Sequence, residues 1–392
     1  MCVTALELRG ITWNHSRALP PLVAASQRYE ELHPQIRIQW DRRTLDEFGH
    51  ASLADLAQRY DLLIIDHPML GEVHRDGILL DLKARLQPEN FTAVQSDALG
   101  PCFESYCYED NLYALPIDAA APAASYRPDL LERAGRLPPA TWDELICLAR
   151  AGIVCMPAFP ADLFLNFLGM CASRNGMIGS HDQLFDRAIA TRCLEELCEL
   201  ASHMPEAIYS MNPIHIYETM SSHDEFAYCP FAYTYSNYSR PGFARHTLLF
   251  ANPVSLREGI PLRTILGGTG IAISAQCKHS DDATEFCAYV AGSDCQTRLY
   301  GICGGQPASK TSWRDPLLNS VSNSFFERTS SSIEAAIVRP RYAGYIALQA
   351  TAGETIAAHF HGELSMAHAV DQIEDLYRRS LSAGPHEKEL TL

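Results

Sequence analysis

Residues Asp61 to Asp66 read Asp-Leu-Leu-Ile-Ile-Asp, an unbroken apolar run bounded at each end by a carboxylate. A strand with this composition is covered on both faces, as in a parallel sheet with helices above and below. The residues before it supply those partners. Leu6 to Trp13 reads as a strand. Leu22, Ala25, Tyr29 and Leu32 recur at helical spacing, which predicts a helix over Ala18 to His33, closed by Pro34. Ile36, Ile38 and Trp40 alternate with Arg37 and Gln39 as a second strand, and Phe48 to Tyr60 is again helical. This β-α-β-α-β order predicts an open parallel sheet flanked by helices.

At 392 residues the chain exceeds one ordinary core, so two lobes are expected. A net charge of -16 excludes nucleic acid and anionic membrane surfaces as partners, because both reward clustered Lys and Arg. No apolar run approaches the ~18 to 20 residues of a spanning helix. Thr141 to Met204 reads as mainly helical, and Tyr228 to Tyr238 is densely aromatic. Ile265 to Ser274 reads as a glycine-rich turn entering a strand. Ser280 is the expected N-cap of the next helix, and Thr351 to Leu381 is helical.

Between these segments lies an ordered set of signals. Asn111 to Asp118 reads as a strand leaving the first lobe, and Ser125 to Gly135 follows it. Pro138 and Pro139 then enforce extended chain, and Thr141 with Glu144 forms a T-x-x-E capping box. This stretch, with Gly268 to Gly270, Phe286, Gly305 to Ser309 and Arg339 to Tyr345, resembles the family 1 extracellular solute-binding proteins of ABC importers. The resemblance implies an α/β, two-lobed, periplasmic-binding-protein-like fold of type II with the ligand cleft between lobes. It would place 1–115 and 263–310 in lobe 1, and 116–262 and 311–392 in lobe 2. Hinges would lie near Pro116 and Leu262.

In open α/β sheets ligands sit beyond the C-terminal ends of the strands. The residues there are Trp13, Asn14, His15 and Arg17 after the first strand, and Arg43 after the second. Asp66 and His67 follow the third, and Asp118 follows the crossing strand. Tyr233, Tyr235 and Tyr238 are expected from the second lobe. Gly268, Gly305 and Gln306 complete the candidate ligand-binding set. Aromatic faces suit sugar rings, whereas His15, Arg17, Arg42, Arg43 and His67 could equally bracket an organic acid or phosphate. The expected partners are therefore a small sugar-like ligand or organic acid and, by the resemblance, ABC permease subunits. No nucleic acid partner is expected, and the chain should be a monomer.

Other chemistries fit poorly. Gly267 to Gly270 fails as a dinucleotide fingerprint, because Ile273 stands where the last glycine belongs. His359 and His361 point to opposite sides of a helix, so no metal or cofactor is expected. No G-x-S-x-G nucleophile occurs. Asp66 with Asp118 leaves a carbohydrate-active enzyme as an alternative, alongside a cytoplasmic ligand sensor. Met1 to Leu8 lacks signal-peptide character, and thirteen cysteines suit a reducing compartment. A cytoplasmic location is thus expected for the chain as written, and a periplasmic one if a signal was removed.

Overall fold

The computed structural model describes residues 6–44, 47, 52–174, 178–179 and 183–382. In chain order the described strands are β1 (Leu6–Trp13), β2 (Ile36–Arg43), β3 (Leu62–Ile65), β4 (Cys107–Tyr108), β5 (Asn111–Leu112), β6 (Leu115–Ala120), β7 (Pro122–Tyr126), β8 (Tyr228–Tyr233), β9 (Leu249–Ala251) and β10 (Gly267–Ile273). They fall in two compact units. Unit 1 comprises 1–120, 235–243 and 266–334; unit 2 comprises 121–234, 244–265 and 335–392.

Unit 1 is built on a five-stranded sheet ordered β2-β1-β3-β10-β6. Three of its strands pair in parallel, β1 with β2 and β1 with β3, as the β-α-β-α-β order requires. The sheet is nonetheless mixed. β10 runs antiparallel to both β3 and β6, because the chain enters this position from the opposite end after an excursion through unit 2. All four residues of β3 are fully buried, as its apolar run demands. The helix Leu19–Leu32 covers one face and meets the helix Ser280–Ala291 through Tyr29 and Phe286, whose rings are 5.2 Å apart. That second helix is not capped by Ser280: His279 is the N-cap, and Ser280 Oγ instead accepts from Arg85. Of the helix expected over Phe48 to Tyr60, Leu53–Ala57 is seen, and Phe48 to Ala51 lie outside the described residues.

The expected glycine-rich turn is itself strand β10. Gly268 has φ +99°, and a Cβ placed there would lie 2.2 Å from Asp118 O. Only glycine allows β10 to pass β6 this closely, and the register shifts between Thr269 and Gly270 immediately afterwards.

Unit 2 carries the antiparallel sheet β8-β7-β9 and a set of long helices. Thr141 and Glu144 form the anticipated capping box on the helix Trp142–Ala149. The helix Pro160–Ser173 packs Phe164 and Phe167 inward, each fully buried and worth about 1.5 to 3 kcal/mol relative to exposure. Gly353 of the helix Tyr345–Phe360 lets it approach Pro160 O, where a Cβ would sit at 2.1 Å. The single C-terminal helix expected from Thr351 is two, Tyr345–Phe360 and Met366–Ser382, with Gly362 (φ +80°) between them.

The unit boundaries differ from those expected. The chain passes between units at Ala120/Ala121 and Ile265/Leu266, beyond Pro116 and Leu262. Residues 311–334 pack in unit 1, where Trp313 Nε1 donates to Pro307 O at 2.6 Å and Thr311 N to Asp97 at 3.0 Å. The aromatic segment is divided as well: Tyr233 ends β8 in unit 2, while Tyr235 and Tyr238 lie in unit 1.

Replacing Gly268 by alanine should lower stability by at least about 2 kcal/mol, from the positive φ together with the clash on Asp118. Urea unfolding checks this; an unchanged midpoint contradicts the account.

Candidate functional site

Because β1, β2 and β3 run parallel, their C-terminal ends share one edge of the unit 1 sheet. Asn14 and His15 follow β1, Thr44 follows β2 and Asp66 follows β3. Backbone bonds shape the edge: Asn14 N donates to Arg43 O at 2.8 Å and His15 N to Trp13 O at 3.0 Å. Asn14 is exposed, and His15 and Asp66 are half-buried. Asp66 accepts from His67 N at 2.8 Å and caps the short turn His67–Met69, while His67 itself is fully buried. Trp13 is buried at the end of its strand.

Beneath this edge Arg17 and Asp118 form an ion pair with side chains 4% and 0% exposed. Arg17 Nε donates to Asp118 Oδ2 at 2.9 Å, and Nη2 donates to Oδ1. The guanidinium also lies over the ring of Tyr235, 4.7 Å from its centroid. Burial works against the charged guanidinium, but the carboxylate's charge and hydrogen bonds outweigh it and raise the Arg17 pKa. His15 packs edge-on against Tyr235 with centroids 4.7 Å apart, and its Nδ1 accepts from Arg17 N at 3.0 Å. Burial, aided by the Arg17 charge, lowers the His15 pKa from 6.5 to about 4. The imidazole is therefore neutral, with Nδ1 the acceptor and Nε2 carrying the proton.

Gln306 ties this group to the rest of unit 1. Its Nε2 donates to Ala119 O at 2.7 Å, its Oε1 accepts from Ser236 N at 3.0 Å, and its O accepts from Ala119 N at 2.9 Å. Gly305 permits the turn before it, since a Cβ there would meet the Tyr300 ring at 2.4 Å.

The structure thus brings together Trp13, Asn14, His15, Arg17, Asp118, Tyr235, Gly305 and Gln306, with Gly268 backing Asp118. Others in the expected set are placed differently. Arg43 is buried, donates to Glu47 O and Ile64 O, and is held at about 10 by burial. Tyr238 is packed in the core of unit 1 against Phe243, at 5.1 Å. Tyr233 is half-buried in unit 2. Arg17 and Asp118 face each other rather than solvent, so Asp118 is not an open acid–base partner for Asp66. Two groups of chemical interest lack a motif and were not foreseen. Asp162 sits in the first turn of the helix Pro160–Ser173, where burial alone pushes its carboxyl up to about 7. The other is Cys193 in the helix Arg187–Ala201. Among the described residues no cluster of three or more His, Cys, Asp or Glu is placed to hold a metal ion, and no helix is long and apolar enough to cross a membrane.

Residues 24–320 match the family model for bacterial extracellular solute-binding proteins. The chain belongs to this family. No curated protein sequence matches it. Solved solute-binding proteins share its fold at low identity. Maltose-bound MalE3 of Thermotoga maritima aligns with TM-score 0.79 and 18% identity over 96% of this chain and 100% of that one. The GacH receptor of Streptomyces glaucescens, solved unliganded and with acarbose, gives 0.81 and 17% over 97% and 99%. A Thermotoga lettingae ABC transporter solute-binding protein bound with α-D-tagatose gives 0.81 and 16% over 96% and 100%. The fold of this solute-binding protein is accordingly the two-lobed, mixed α/β periplasmic-binding-protein fold.

Removing one partner of the buried pair should cost far more than removing both. In this solute-binding protein Asp118→Asn should destabilise by about 3 to 5 kcal/mol, because Arg17 is left buried and unpaired. Arg17→Met with Asp118→Leu should recover most of that loss, and equal losses in urea unfolding would contradict the reading.

The His15 shift has a defined pH signature. Between pH 6.5 and about 4 the unfolded chain binds a proton that the folded His15 refuses, so its contribution is present above pH 6.5 and lost as pH falls through that window. Relative to His15→Gln, the parent should lose roughly 2 to 3 kcal/mol across it. Parallel stability–pH curves for the two proteins would rule this out.

Proposed function

We propose that this chain is the non-catalytic solute-binding component of an ABC-type importer and takes a small, neutral, polyhydroxylated ligand of the sugar or polyol class. The observation that carries this reading is the fate of Arg17 and Arg43, two of the three arginines at the strand-end edge; the third, Arg42, is exposed. Arg17 is spent on Asp118, and Arg43 is buried against Glu47 O and Ile64 O. An organic acid or phosphate would call on such forks. The edge instead offers Asn14, neutral His15 and Asp66, which are hydrogen-bonding groups suited to hydroxyls, beside the aromatic Tyr235. The ligands of fold relatives fall in the same class: maltose, acarbose, α-D-tagatose, ribitol and D-mannitol. A bound solute would favour one conformation of the protein, and permease subunits would read that conformation. This role goes with an extracellular or periplasmic location.

A second reading is a ligand sensor on the same fold in a reducing compartment. It is favoured by the thirteen cysteines of the chain, an odd number rich in buried positions such as Cys155 and Cys287.

Thermal-shift and calorimetric titration with maltose, D-tagatose, D-mannitol and ribitol test the ligand class, with citrate and phosphate as anionic controls. At ligand 100-fold above Kd the folded state should gain about 2.7 kcal/mol, seen as a rise of several degrees in Tm. Asn14→Ala, at an exposed position, should weaken binding about fivefold through one lost hydrogen bond while leaving the unliganded Tm unchanged. A shift with citrate or phosphate and none with the sugars or polyols would sink the proposal.

A further inference from the structure

Between β8 and β9 the chain carries a short arm, residues 235–243, that packs within unit 1. Its centre is a single 3-10 turn, Ser236–Ser239, with Tyr235 at the start. Tyr235 is the ring that the Arg17 guanidinium covers and that His15 meets edge-on. Inside the arm, Tyr238 N donates to Tyr235 O at 3.1 Å and Arg240 N to Asn237 O at 3.0 Å. A lone turn of this kind needs outside partners to hold one position. At its head they are Gln306 Oε1, which accepts from Ser236 N, and Gly304 O, which accepts from Asn237 Nδ2 at 3.1 Å. Arg240 adds bonds to Gly301 O and Ile302 O. At its tail the partners come from a different turn. Asn323 Nδ2 donates to Ser239 O at 2.7 Å, and Ser239 Oγ donates to Ser322 O at 2.8 Å. That turn joins the helices Pro316–Ser320 and Phe325–Glu334 and holds Asn323 at φ +49° and Ser324 at φ +57°. Left-handed backbone at two successive non-glycine residues is sterically disfavoured and persists only where surrounding contacts over-determine it. Asparagine tolerates this conformation better than most residues, and here its amide is the group that reaches the arm.

We propose that Asn323 is a positioning residue for the candidate binding edge: by holding Ser239 O it fixes the arm, and with it the Tyr235 ring that Arg17 and His15 pack against. The inference rests on the reading of that edge as the place where a solute binds. The Asn323 bond ends on Ser239, one turn away from Tyr235, so Asn323 acts through the arm and not on the solute. Without that bond the arm keeps its attachments to Gln306 and Gly304 O, so the fold survives. The ring then loses its single position over Arg17. A ring face and the groups beside it recognise a solute well only when their placement is settled before the solute arrives.

Three variants of the full chain separate positioning from simple turn stability, each confirmed as folded by circular dichroism. Asn323→Gly keeps a residue at ease with φ +49° and removes only the side-chain donor. Ser324→Gly relieves the neighbouring position and leaves that donor in place. Tyr235→Leu removes the ring and supplies the reference. The first readout needs no solute: the Arg17 Nε–H proton resonance, which the Tyr235 ring current displaces in the parent. In Asn323→Gly it should move toward its Tyr235→Leu value, and the Tyr238 and Arg240 amides should exchange about tenfold faster. In Ser324→Gly both should match the parent. The second readout is calorimetric titration with maltose, D-tagatose, D-mannitol and ribitol. The solute that the parent binds should bind Asn323→Gly about fivefold more weakly and Ser324→Gly as tightly as the parent. If the parent binds none of the four, the solute class fails, and the resonance and exchange results alone uphold or overturn the role of Asn323. An Arg17 resonance and arm exchange unchanged in Asn323→Gly, or changed equally in Ser324→Gly, would overturn the proposal, as would full affinity of Asn323→Gly for the solute.

Discussion

The buried pair of Arg17 and Asp118 is the constraint around which unit 1 is arranged. A charge in a low-dielectric interior is tolerated only where its partner and remaining donors are placed with good geometry. Meeting that condition requires four distant stretches of chain at once. The loop after β1 supplies the guanidinium and β6 the carboxylate. The stretch at Tyr235 supplies the ring against the cation, and the turn at Gly305 and Gln306 supplies bonds that hold β6 to Ser236. An apolar pair of similar volume would bury as much surface and tolerate shifts of an ångström. The ion pair does not, so its contribution is one of register more than of net stability.

The same constraint explains the glycines around it. β10 must run against β6 at the level of Asp118 and still leave the carboxylate aimed at Arg17. Gly268 achieves this with φ +99° and no side chain to strike Asp118 O. Gly305 does the equivalent against Tyr300. These glycines are thus consequences of burying a charge between a strand and a loop. A ligand need not be invoked to account for them.

Much of the scaffold was legible because it depends on short-range patterns. The apolar run Leu62 to Ile65, the spacing of Leu22, Ala25 and Tyr29, and the pair Thr141 and Glu144 each encode local structure whatever lies around them. The direction of β10 was not legible, since a strand's polarity in a sheet is set by where the chain comes from. The division of the aromatic segment was not legible either. Tyr233 and Tyr235 are two residues apart and alike in chemistry, yet one, in β8, pairs with Pro122 of β7 and the other lies on Arg17. For the candidate site, position at strand ends was readable, but exposure was not. Arg17 and Asp118 are separated by about a hundred residues, and nothing local announces that each is the other's counter-ion.

Buried arginines in the two units are matched to different degrees by exposed carboxylates. In unit 2, Arg127 is 1% exposed, but its carboxylates Asp129 and Asp224 are about half exposed, and its other donors go to Met220 O and His223 O. Arg174 likewise reaches Glu258 at the periphery. The pairs to Asp129, Asp224 and Glu258 sit where water still reaches one partner, although Arg174 also meets the buried Glu196. Arg17 and Asp118 have no such relief: both charges are fully withdrawn, and the residues around them are the aromatic and imidazole rings of the strand-end edge. Pairing with Asp118 screens the field of Arg17 from the surface above. What the edge presents is ring faces and hydrogen-bonding groups held in place by the pair beneath them.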